Sequence, residues 1–107
     1  MSFKILLSDT FQRNFKQLAK KHASLKSDIM NLIQSLENNP TQGTPLGNNL
    51  FKIRISITST GKGKSGGARI ITFAKLIDQE VFLITIYSKS VRESISKEEL
   101  EKLTKDL

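Results

Sequence analysis

The chain has no cysteine among its 107 residues and a single histidine, His22. The first absence excludes a disulfide framework and a thiolate metal site, and with them any pointer to an oxidising compartment. One imidazole is too few for a histidine-built metal centre, and His22 is expected at a helix end or on the surface. No apolar run approaches the ~18 residues that would suggest a membrane-spanning helix. The N-terminal stretch MSFKILLSDTF lacks the apolar core of a signal peptide, so a cytoplasmic location is the expectation. Internal repeats and low-complexity tracts are also missing. Most informative is a local shortage of negative charge: no Asp or Glu occurs between Glu37 and Asp78.

What remains in that stretch is basic. The net charge of +7 is concentrated in residues 51–75, which carry Lys52, Arg54, Lys62, Lys64, Arg69 and Lys75 without one acid. Residues 1–50 hold six bases against three acids, and residues 76–107 hold five against seven. A field of one sign attracts polyanions, nucleic acid foremost. An anionic membrane would suit the charge too, but the basic segment reads as strands and loop rather than an amphipathic helix. With 37% hydrophobic and 25% charged residues, the chain is expected to fold as one domain spanning 1–107.

Hydrophobic spacing supplies the elements. Residues 3–7, FKILL, suggest a short strand, and Ser8, Asp9 and Thr10 offer helix N-caps. Phe11, Phe15, Leu18 and Ala19 recur at helical spacing, which predicts a helix over 10–21 with Arg13, Lys16, Lys20 and Lys21 on its polar face. A second helix starts at Ser24, carries the stripe Leu25, Ile29, Leu32, Ile33 and Leu36, and must end before Pro40. The turn-rich connection NNPTQGTPLGNN at 38–49 holds both prolines. From Leu50 the period changes to two: Phe51, Ile53, Ile55 and Ile57 share one face, and Lys52, Arg54, Ser56 and Thr58 the other. Residues 68–77 and 81–87 read as a hairpin joined at Asp78–Glu80. Ser96 and Glu99 have capping-box spacing before a last helix with the stripe Leu100, Leu103 and Leu107, expected to pack on the sheet. The order β-α-α-β-β-β-α predicts an α+β domain with a mostly antiparallel four-stranded sheet.

The loop GKGKSGGARI at 61–70 allows two readings. Gly63-Lys64-Ser65 looks like the tail of a phosphate-binding P-loop. That motif also needs glycine where this chain has Thr58, and a following helix where a strand is expected. The other reading is a flexible hairpin tip. Closing the hairpin would gather Lys52, Arg54, Lys62, Lys64 and Arg69 at one end of the sheet, with Tyr87 and Lys89 approaching from the last strand. Tyr87 can pack on the core or stack on a base, and Arg92 can join the patch or face water.

The segments NPTQGTPL, FKIRI, GKSGGARIITF and FLITIYSKS, in that order and followed by a short charged helix, resemble the RelE/ParE superfamily, closest to RelE/HigB-type toxins of type II toxin–antitoxin systems. The resemblance covers essentially the whole chain. It implies a metal-independent endoribonuclease, without cofactor, that cuts mRNA in the ribosomal A site. It implies as partners the ribosome, mRNA and a cognate antitoxin, typically a small helix-turn-helix DNA-binding protein. Carried over position by position, the catalytic residues become Lys52, Arg54, Arg69 and Lys89, with Lys62, Lys64 and Tyr87 as RNA contacts. One departure stands out. Some members end the last strand with arginine and carry a tyrosine a few residues later, whereas this chain has Lys89 and then SVRESI.

The residue types suit that chemistry. RNA is cut without metal when its own 2′-OH attacks the adjacent phosphate, provided the attack is aligned and the growing charge neutralised. Arginine grips phosphate bidentately and stays charged. A lysine crowded by other cations holds its proton less firmly, so Lys52 or Lys89 could exchange one. Two other readings share the expected fold: a ParE-type inhibitor acting on DNA gyrase, and a non-catalytic nucleic-acid-binding module.

Overall fold

The first helix begins where the Ser8 hydroxyl accepts the Phe11 backbone N–H, an N-cap that also donates to the Ile84 carbonyl and so ties helix to sheet. In the computed structural model, which describes residues 2–92 and 94–105, this helix, α1 (Asp9–Ala19), follows strand β1 (Lys4–Leu7) directly. A tight turn holding His22 leads to α2 (Leu25–Asn38), which ends ahead of Pro40 as expected.

The connection after α2 departs from the sequence reading. It contains a fifth strand, β2 (Thr44–Gly47), paired antiparallel with β3 (Leu50–Ile55). Asn48 and Asn49 both take left-handed backbone angles between the two strands, the geometry a two-residue hairpin turn demands. Pro45 is tolerated because β2 is an edge. β4 (Ala68–Lys75) and β5 (Glu80–Ser88) complete the sheet, joined by a 3-10 turn at Leu76–Asp78 and Gln79 in the left-handed region. The strand order is β1-β5-β4-β3-β2, antiparallel except where β1 runs parallel to β5. The sheet is therefore mixed and five-stranded, within the α+β class expected.

The two faces of this sheet are covered differently. α1 and α2 lie on one face and enclose Phe11, Leu25, Ile29, Leu32 and Leu36 against Ile53, Ile70, Val81, Leu83 and Ile86. The last helix, α3 (Lys97–Thr104), covers the other, packing Leu100 and Leu103 with Ile95 against Ile71, Ile84 and Tyr87. The expected stripe thus docks on the sheet as far as Leu103; Leu107 lies outside the described residues. Ser96 caps α3 by accepting the Glu99 backbone N–H, but the Glu99 carboxylate turns to Arg92 instead of closing a capping box.

A bulge in β5 decides which side chains meet. Ile71 pairs with Thr85 and Thr72 with Leu83, so Ile84 is an extra residue on β5. Before it, Phe82 and Ile84 point to the α3 face; after it, Ile86 turns to the helical-pair face and Tyr87 to the α3 face. Simple alternation would have put Tyr87 on the wrong side.

Candidate nucleic-acid interface

Pairing register builds the site. Arg54 on β3 is directly opposite Arg69 on β4, and Arg69 is directly opposite Tyr87 on β5. The three form a row across the sheet on the α3 face, with Lys52 two residues further along β3 on the same side. At adjacent-strand spacing, the row spans about 10 Å. Like charges directly opposite each other on neighbouring strands disfavour the pairing, so the two arginines are not placed here by pair stability alone. Lys89 follows β5, and its backbone N–H donates to the Gly67 carbonyl at 3.0 Å, which fastens the end of β5 to the glycine loop.

The loop is neither a phosphate cradle nor a loose tip. It contains two 3-10 turns, Thr58–Thr60 and Lys64–Gly66, and it is seated on the sheet. Gly67 lies so close to β3 that a Cβ there would overlap the Ile55 carbonyl oxygen. The Lys64 carbonyl accepts both the Gly67 N–H and Nη1 of Arg69, the latter at 2.9 Å; Nη1 also donates to the Ala68 carbonyl. Arg69, 1% exposed, is therefore the buried anchor of the loop and not part of its surface.

The predicted residues thus separate into two layers. Arg54, Lys62, Lys64 and Lys89 are exposed and Lys52 is half-buried, while Arg69 and Tyr87 lie beneath. Among the described residues no acid pairs with Lys52, Lys62, Lys64 or Lys89. Tyr87 is 7% exposed and packs in the cluster under α3. The Arg92 guanidinium lies over its ring, 4.7 Å from the centroid.

Arg92 has a partner that neither of its two readings anticipates. While remaining partly exposed, it donates from Nη1 and Nη2 to the two Glu99 carboxylate oxygens, at 2.6 and 3.0 Å. Those hydrogen bonds hold the Glu99 carboxyl below the usual carboxylate range and raise the Arg92 value further. The seven-residue separation from Arg92 to Glu99 spans a turn, so no helical spacing announces the pair. His22 sits apart, in the turn between α1 and α2.

Comparison with known proteins gives the family and the fold. A family model for the RelE toxin of the RelE/RelB toxin–antitoxin system matches residues 8–106. Two solved structures of E. coli RelE toxin are similar in fold. An arginine double mutant in the free state has a TM-score of 0.63 at 12% identity, covering 87% of this chain and 90% of that one. The isolated toxin has a TM-score of 0.53 at 14% identity, covering 99% and 100%. A search of curated protein sequences finds no match. Among the described residues, no helix is long and apolar enough to cross a membrane.

Proposed function

The chain belongs to the RelE toxin family, and from that premise we propose that it is a metal-independent endoribonuclease that cuts mRNA in the ribosomal A site. In this reading it acts in the cytoplasm, halts translation, and is neutralised by a cognate antitoxin. The observation that carries the reading is the row Arg54–Arg69–Tyr87 with Lys52 beside it and Lys89 at its end.

The exposed Arg54 and Lys89, with the half-buried Lys52, do the chemistry. Arg54 grips the non-bridging oxygens of the scissile phosphate, where a guanidinium matches two oxygens at once. Lys52 and Lys89 flank it and exchange the two protons: one leaves the attacking 2′-OH, the other is delivered to the departing 5′-oxygen. The products are a 2′,3′-cyclic phosphate and a free 5′-hydroxyl. Arg69 acts from below as a positioning residue, fixing the Lys64 carbonyl and with it the loop that presents Lys62 and Lys64 to the RNA backbone. Tyr87 supports the same surface from within.

Induced expression without the antitoxin, combined with mapping of mRNA ends in translating extracts, tests the reading. Growth arrest with ribosome-dependent cuts that survive a chelator, both lost in Arg54→Ala, is the expected result. Arrest with intact mRNA would turn the reading toward gyrase. No arrest and no cuts would leave a binding module.

A further inference from the structure

A cleft of about 310 Å3 opens where the row ends, between the second half of α1 and the turn that follows β5. Tyr87 belongs to both the row and the cleft wall. The expected chemistry does not use the cleft, and its walls differ in kind from the lysine-rich surface beside it. Leu18 and Ile86 supply apolar contact, Asn14 and Gln17 supply amides, and Lys21 supplies a cation. Arg92 closes one side, its guanidinium over the Tyr87 ring and hydrogen-bonded to both Glu99 oxygens. The amide nitrogen of Asn14 donates to Thr85 Oγ1 at 2.8 Å, which fixes that side chain and leaves its oxygen as an acceptor.

We infer that this cleft holds one unstacked base of the bound RNA, the neighbour of the nucleotide gripped by the row. A base has two apolar faces, a polar edge and an attached anion. The cleft offers apolar walls, a pre-set planar guanidinium, two amides and Lys21 to match each of these. Single-stranded RNA is read in this way, by splaying a base onto aromatic or guanidinium planes and bonding its edge. The pocket volume falls within the range of small-ligand sites. The Arg92–Glu99 clamp then has a purpose: it holds the guanidinium plane in place before RNA arrives, so ordering it costs nothing on binding. The inference rests on the RNA reading above and adds to it a subsite for the neighbouring base.

The test uses the full chain and a hexanucleotide RNA with 2′-O-methyl riboses, which cannot be cut. An abasic residue is moved through the six positions, and affinity is read by fluorescence anisotropy. One position is expected to weaken binding about tenfold, the size of one stacked base. That penalty should vanish in Gln17→Phe, whose ring fills the cleft from an exposed helix position. Side-chain amide resonances of Asn14 and Gln17 should shift with the intact RNA and not with that abasic one, a readout that needs no variant. Equal affinity at all six positions, or a penalty unchanged in Gln17→Phe with unmoved amides, overturns the inference and leaves the nuclease reading standing. RNA binding unaffected by Gln17→Phe while the antitoxin no longer neutralises the variant would assign the cleft to a protein side chain instead. An RNA that does not bind at all, on or off the ribosome, removes both.

Discussion

The two faces of the sheet bury their side chains to very different extents. Under α1 and α2 lies a cluster of twelve buried apolar residues, four of them from α2 alone. Among the described residues, the cluster under α3 has three buried apolar members, Ile71, Ile84 and Tyr87; α3 itself contributes no buried residue, and Arg69 occupies ground that an apolar side chain would fill elsewhere. One face therefore supplies the stability of the fold. The other carries fewer buried apolar residues and presents Arg54 and Lys52 beside the buried Arg69.

Removing one leucine from each face should expose the contrast most strongly. Leu36 has no exposed surface in the helical-pair cluster, and Leu36→Ala should cost about 2–5 kcal/mol in urea unfolding. Leu103 is half-buried under α3, and Leu103→Ala should cost only about 1 kcal/mol. Equal losses would mean that the two faces contribute alike and that the division is wrong.

The seat of the glycine loop comes next. Gly67→Ala forces a methyl onto the Ile55 carbonyl and should cost about 1–3 kcal/mol, displacing the Lys89 and Arg69 bonds that meet there. A Cβ at Gly61 meets nothing, so Gly61→Ala should cost only the left-handed backbone strain, about 1 kcal/mol. Cleavage should fall far more in Gly67→Ala than stability does, as a primer-extension assay beside a melt would show.

How much of this could be read from the sequence follows from where the information is local. The 3.6-residue stripe of α2 and the period of two in Phe51–Ile57 are properties of single segments, and both gave the right faces. β2 is hidden in a turn-rich stretch: TPLG shows no apolar alternation and contains Pro45 and Gly47. The Asn48-Asn49 pair was its one local sign. That Lys52 and Arg54 share a side was legible. That Arg54 faces Arg69 depends on register, and that Tyr87 joins the row depends on the Ile84 bulge. Burial of Arg69 was not legible at all, because its acceptors are backbone carbonyls that exist only once the loop is folded.

A smaller effect probes the join between α2 and the loop side of the sheet. Burial pushes the Asp28 carboxyl up, but hydrogen bonds from the Thr58 side chain and backbone and from Ser24 outweigh it and hold it below its ordinary value. A lowered value means that the carboxylate stabilises the fold at neutral pH and that this contribution is lost as pH falls through the lowered value. Asp28→Asn should therefore cost about 1 kcal/mol at pH 7. The gap between the variant and the parent should close in acid, when urea midpoints are followed with pH.

The smallest expected change in global stability is at the clamp on α3. Arg92 and Glu99 are both more than a third exposed, so solvent screening limits Glu99→Gln to at most about 1 kcal/mol. Its local effect should be larger than that figure suggests, since the clamp joins α3 to a sheet face that holds few other contacts. Arg92 stays charged throughout, so only Glu99 titrates, and its lowered value gives the same sign as for Asp28. The clamp is complete above the ordinary carboxylate range and is lost as pH falls through the depressed value. Amide hydrogen exchange over residues 97–104 should accelerate in Glu99→Gln at pH 7, once corrected for intrinsic rates, while exchange over 25–38 stays unchanged. At a pH low enough to protonate Glu99 in the parent protein, the two chains should open α3 equally. Faster exchange in both helices would mean that α3 and the helical-pair core unfold together, and the two faces would then be one cooperative unit.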